Sequence, residues 1–380
     1  MLEPQSTALF VLLLAMFGAL IWRTLATRRI AFRVLAACLA FVPAMAFGVL
    51  AVNKYYGYYP TWGSMVADLT HQDAGAASLV PEIEFAGRLR AGTLDGSHAH
   101  LTLAQRQGYL VRLRVTGQRS HITRTAYVYL PPQYFQAAFR AYRFPAIELI
   151  HGQPGEPRDW ISVVGVTRAF GRLLASHRAR PAVLVMPDAN GGDKISLQCL
   201  DQAGGPQDLT YLAMDLPGQL ARTLRVRPPG PGWGVAGYSE GGFCAANMAL
   251  RFPHRYGAAG VLSGYFVPFD NRLAASGPPV SPFGGSAALR EQNTPLNELR
   301  ALPAAMAIPR FWLAAGAADG EAVADAEGFR AGLLPRQPSV PLTLTSGGGH
   351  TMSTWRAELP SLLSWMTPRL ARPDPPVRSL

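Results

Sequence analysis

The segment Gly237-Tyr238-Ser239-Glu240-Gly241 combines residue types and a spacing suited to covalent chemistry. A serine hydroxyl is a poor nucleophile until a neighbouring base takes its proton. The G-x-S-x-G pattern addresses geometry, because small residues on either side let the serine sit on a cramped strand-to-helix bend with its hydroxyl exposed. Taken alone the pattern is weak: with 38 glycines and 19 serines in 380 residues, chance supplies about 0.2 matches. Its setting strengthens it, since an apolar strand-like run, WGVAG, precedes it and a helix-like run, GFCAANMALRF (242–252), follows. The N-terminus of that helix would place free N–H groups near developing negative charge.

A serine nucleophile needs a base, and His350 closes Gly347-Gly348-Gly349-His350, 111 residues further on. The base needs a carboxylate that holds its tautomer. Asp319 ends an apolar run between the two, and Glu321 and Asp325 remain alternatives. The order serine, acid, histidine is that of α/β-hydrolases. An oxyanion hole needs two backbone donors, each worth about 3–4 kcal/mol in the transition state. The candidates are the N–H groups of Glu240 and Gln153, with Gly152 as the flexible residue that turns the latter inward and His151 as a support of that loop. Trp160, Asn190 and Tyr238 are candidate substrate contacts. The plainer alternatives are that Trp160 packs the loop, and that Asp188 and Asn190 make the turn in PDANGG.

These residues fall at the ends of apolar runs: FPAIELIHG (144–152), AVLVMPDANGG (182–192), GWGVAGYSEGG (232–242), RFWLAAGAAD (310–319) and LTLTSGGGH (342–350). Helix-like stretches such as VTRAFGRLLASHRA (166–179) lie between them. Strands alternating with helices predict an α/β fold, a mostly parallel sheet with helices on both faces. Chemistry in such sheets gathers at the C-terminal ends of the strands. Upstream, YLVRLRV (109–115) and TAYVYLPP (125–132) read as an opening pair of strands.

The N-terminal residues are of another kind. Residues 7–22 and 34–52 carry no charge, and the second run spans roughly 28 Å as a helix. The connector holds Arg23, Arg28, Arg29 and Arg33, which predicts a two-helix transmembrane hairpin with a cytoplasmic connector and everything after residue 53 facing outward. A cleaved signal peptide fits poorly, because MLEPQ is not basic and a second apolar run follows. The tyrosine- and tryptophan-rich NKYYGYYPTWGSM suits a membrane–water interface. The expected division is therefore 1–53 anchor, 54–115 linker and opening strands, 116–370 catalytic domain and 371–380 disordered tail.

Composition narrows the function classes. The net charge of +11 comes from 33 arginines and two lysines scattered without the clustered basic and aromatic runs of a nucleic-acid binder. Three cysteines and no Cys-x-x-Cys exclude a disulfide scaffold and a zinc motif, so no metal and no cofactor is expected. Cys199 and Cys244 lie on the outward side in this topology. They either pair, tying the loop after PDANGG to the nucleophile helix, or remain free thiols.

LIHGQPGEPRDW, VLVMPDANGG and GYSEGGFCAANMALRFPHRYGAAGVLSGYF resemble the putative-esterase family of α/β-hydrolases, which includes esterase D-like enzymes, feruloyl esterases and secreted mycolyltransferases. The resemblance covers roughly residues 115 to 365. It implies Ser239 as nucleophile, His350 as base, and the Gln153 and Glu240 amides as oxyanion hole; it does not extend to the two apolar helices. The expected protein is a serine carboxylesterase at the outer face of a bacterial plasma membrane. The alternatives are an acyltransferase moving an acyl chain to a sugar or lipid hydroxyl, and a non-catalytic binding domain on the same fold. The expected partners are an ester substrate drawn from envelope lipid or glycan, and membrane lipid through residues 7–52.

Overall fold

Two apolar stretches separated by three residues form a helical hairpin, α1 (Thr7–Ala26) and α2 (Ile30–Tyr56), in the computed structural model of the protein. The structure describes residues 2–69, 98–192, 196–270 and 281–371. Parts of the expected linker and the tail from 372 onward lie outside the described residues. The described residues fall into two units, residues 2–69 with 351–353 and the remainder.

In the first unit the hairpin is antiparallel. The Lys54 ammonium donates to Thr7 Oγ1 at 3.2 Å, Phe10 and Phe47 meet edge to face, and Arg33 Nε donates to the Thr24 carbonyl. Ser6 caps the start of α1, and Gly57, in the left-handed region at φ +71°, ends α2. Both helices run past the uncharged segments, because Arg23, Arg33 and Lys54 are helix formers accommodated at the ends. α2 continues through Pro43. Val11, Trp22, Leu25, Phe41 and Met45 are exposed, and both helices are long and apolar enough to cross a membrane.

The second unit is built on one eight-stranded sheet. Its strands are β1 (Tyr109–Thr116), β2 (Thr123–Leu130), β3 (Ala146–Ile150), β4 (Val183–Pro187), β5 (Gly230–Tyr238), β6 (Tyr256–Leu262), β7 (Arg310–Gly316) and β8 (Leu342–Thr345), in the spatial order 1-2-4-3-5-6-7-8. β1 and β2 join antiparallel, β2 meets β4 antiparallel, and every later pairing is parallel. This is the α/β-hydrolase fold. β3 and β4 are buried at every position, as strands covered on both faces must be, and that explains their unbroken apolar runs.

The pattern of apolar runs misses β6. Four of the seven residues in YGAAGVL are glycine or alanine, so the strand has neither bulk nor alternation. Its smallness serves packing: α4 (Glu240–Arg251) is buried from Glu240 to Leu250 and lies close against β5 and β6. α3 (Val166–Ala175), α5 (Gly320–Leu333) and α6 (Met352–Met366) complete the layers that matter for the site.

Candidate active site

The bend between β5 and α4 is as tight as the glycines imply. Ser239 sits at φ +55°, ψ −122°, a strained conformation for a residue with a side chain. Its own N–H donates to the Leu262 carbonyl, and its carbonyl accepts from Gly242, so the sheet and the first turn of α4 hold the strain. A Cβ on Gly237 would lie 2.1 Å from the Gly241 carbonyl oxygen, and one on Gly241 would lie 2.2 Å from that of Ile150. No alanine fits at either place without moving backbone.

Three distant segments meet at this bend. His350 Nε2 lies 2.9 Å from Ser239 Oγ, and His350 Nδ1 lies 2.7 Å from Asp319 Oδ2. Asp319 also caps α5, its Oδ1 accepting from the Ala322 N–H at 3.5 Å, so one carboxylate fixes the imidazole and starts a helix. Of the three candidate acids, Asp319 alone makes a hydrogen bond to the histidine. Glu321 and Asp325, like Asp319 itself, line the cavity in front of the serine. That cavity, of about 450 Å³, is also lined by Gln153, Ser196 and Glu240.

Trp160 and Tyr238, expected as substrate contacts, are not among the residues that line this cavity. Both are fully buried. Trp160 packs on Tyr238 at 5.0 Å, Tyr238 stacks on Trp355 at 4.5 Å, and Trp355 meets the His350 ring edge to face at 5.1 Å. These aromatics form a column behind the imidazole and limit its swing. Trp355 belongs to α6 and had no motif to mark it.

Asn190 stands one layer behind this cavity, bonded to Gln153 and Glu240, which line it. It is buried and lines a different cavity, and its Nδ2 donates to Gln153 Oε1 at 2.8 Å, steadying the loop that carries the Gln153 amide. Asp188 makes the turn, with Oδ1 accepting from the N–H groups of Asn190, Gly191 and Gly192. His151 is a support: its Nε2 accepts from the Ala189 N–H, which leaves Nδ1 to donate to the Gly152 carbonyl. Burial pushes its pKa down, in keeping with a neutral ring. Gly152 is not in the left-handed region, so flexibility is not its reason. A Cβ there would lie 2.9 Å from the Tyr238 ring and 3.1 Å from Ser239 Cβ.

The Glu240 side chain was not anticipated. It is buried and accepts from Ser196 Oγ. Burial raises its pKa to about 7, against bonds from Ser196, Asn190 and the Gln198 backbone that lower it. The folded chain therefore keeps this proton where the unfolded chain, titrating near 4.5, has lost it. This carboxyl costs stability progressively as pH rises from about 4.5 through 7, and the full cost persists above. Glu240→Gln removes that dependence. In thermal unfolding the Tm of the variant relative to the parent should rise by roughly 2–4 °C between pH 5 and pH 8. An offset equal at both pH values contradicts the assignment.

Cys199 and Cys244 are joined, which ties the loop after β4 to α4. Closing a loop across 45 residues stabilises by about 4 kcal/mol in the chain-entropy account. Alkylation of the unfolded, unreduced chain should label one thiol, Cys38, and labelling of three would contradict the pairing.

Residues 118–366 match a family model described as Putative esterase. An uncharacterized protein of Corynebacterium glutamicum is 26% identical over 347 residues, covering 89% of this chain and 76% of that protein. Among solved structures, a ferulic acid esterase superposes with a TM-score of 0.58 at 18% identity, over 70% of this chain and 99% of that one. An S-formylglutathione hydrolase from Agrobacterium tumefaciens gives 0.55 at 16% identity, over 70% and 97%. A fluorophosphonate-binding serine hydrolase of Staphylococcus aureus gives 0.55 at 17% identity, over 68% and 98%. At these identities the structures speak for the fold.

Proposed function

We propose, from the premise that this chain belongs to the Putative esterase family and is a hydrolytic enzyme of carboxylesterase type, that it cleaves esters through an acyl-enzyme on Ser239. The observation that carries this reading is the chain of contacts Ser239–His350–Asp319 at 2.9 and 2.7 Å on a strained bend. With Nδ1–H donated to Asp319, Nε2 is free to take the Ser239 proton as Oγ attacks the ester carbonyl. The Gln153 and Glu240 amides, from the loop after β3 and the start of α4, are the donors for the oxyanion. Collapse of the tetrahedral intermediate breaks the bond to the alcohol, which leaves with the proton held on His350. Water then attacks the acyl-enzyme, His350 again acts as base, and the acid departs. The purified full-length protein in detergent should hydrolyse short-chain 4-nitrophenyl esters. Absence of turnover from folded protein, together with no fluorophosphonate labelling, would favour a non-catalytic role.

The hairpin supports a membrane-anchored enzyme with its hydrolase unit outside the cytoplasm, since four arginines lie in or beside the connector between α1 and α2. In intact cells carrying a Cys38→Ala background, a membrane-impermeant maleimide should label Glu156→Cys and spare Thr27→Cys. The reverse pattern contradicts the orientation.

A further inference from the structure

We propose that the cavity in front of Ser239 selects esters that carry a protonated amine, an inference that rests on the serine-hydrolase reading above. The chain as a whole is strongly basic, at +11, yet the described residues lining this cavity include no arginine or lysine. They include Asp270, Glu321 and Asp325, in addition to Asp319 on the histidine and the buried Glu240. Burial and then the neighbouring Glu321 and Asp319 push the Asp325 carboxyl up, as crowded negative charge does. A cleft lined by one sign of charge between low-dielectric walls focuses its field on whatever enters.

A second, independent feature indicates what kind of cation fits. Ser263, just past β6, lines the same cavity, is 2% exposed, and its hydroxyl has no hydrogen-bond partner among the described residues. A protonated amine brings three N–H donors and no acceptor, so it can use both a lone hydroxyl oxygen and nearby carboxylates. The cavity also holds two aromatic rings, Tyr265 and Phe269, with centroids 4.7 Å apart, whose faces attract a cation. An anionic ester would meet three carboxylates here with no compensating charge among the described lining residues.

The test compares three benzyl esters of similar size with the full-length protein at pH 7.5: 3-aminopropionate (cationic), propionate (neutral) and hydrogen succinate (anionic). All release benzyl alcohol, and each kcat/KM is divided by that ester's own hydroxide-catalysed rate. The cationic ester should exceed the neutral one by about tenfold, and the anionic ester should fall below it by a similar factor, at low ionic strength. Both gaps should narrow at about 0.5 M salt. The double variant Glu321→Gln/Asp325→Asn should bring the cationic-to-neutral ratio severalfold closer to one. A ratio within twofold of one, a preference for the anion, or a preference indifferent to both salt and the double variant overturns the inference. If the propionate is hydrolysed without charge preference, this inference alone fails. If no ester is hydrolysed and Ser239 takes no fluorophosphonate, the hydrolase reading fails with it.

Discussion

Ser239→Ala should lower kcat/KM for any hydrolysed ester by at least about 10⁴-fold while leaving the fold intact. The size follows from the chemistry: without Oγ no acyl-enzyme forms, and only binding and oxyanion donors remain to assist water. Stability should change by less than about 1 kcal/mol, because the hydroxyl's recorded partner is His350 and alanine keeps the same backbone demand at φ +55°. The paired measurement is steady-state hydrolysis and thermal unfolding of parent and variant. Activity within tenfold of the parent would place the nucleophile elsewhere.

Asp319→Asn should lower kcat by about 10³–10⁴-fold with little change in KM. An asparagine amide facing Nδ1 favours the tautomer with its proton on Nε2, which points N–H rather than a lone pair at Ser239. The substitution separates this role from the structural one. Asparagine caps a helix as well as aspartate does, so α5 keeps its start while the imidazole loses its orientation. Glu321→Gln and Asp325→Asn should each cost less than about tenfold on a neutral ester, since neither carboxylate makes a hydrogen bond to His350. A deeper loss in either than in Asp319→Asn would reassign the acid.

What could be read from the residues alone follows locality. The bend at Ser239 is written in five consecutive residues, and β3, β4, β5, β7 and β8 announce themselves as apolar runs ending in glycine with a polar group. β6 escapes because small residues carry no period, although close packing of α4 requires them small. The helical hairpin was visible as uncharged length, and its ends extend where charged residues join the helix. The histidine's supports were not legible. Trp355 and Tyr238 are 117 residues apart, and only the fold stacks them and buries Tyr238 and Trp160. Asn190 illustrates the same limit: a residue in a turn motif proves to hold the Gln153 side chain, a contact across 37 positions. Ser196, which donates to the Glu240 carboxyl, has no sequence mark at all.

In the proposed mechanism Ser239 is the group that becomes acylated. The most direct test is to react the full-length protein in detergent with a fluorophosphonate and map the adduct by peptide mass spectrometry. One modified site, Ser239, is expected, with no adduct in Ser239→Ala. A stoichiometric adduct on another residue such as Ser263 or Ser196, or none on folded protein that still hydrolyses esters, would contradict it.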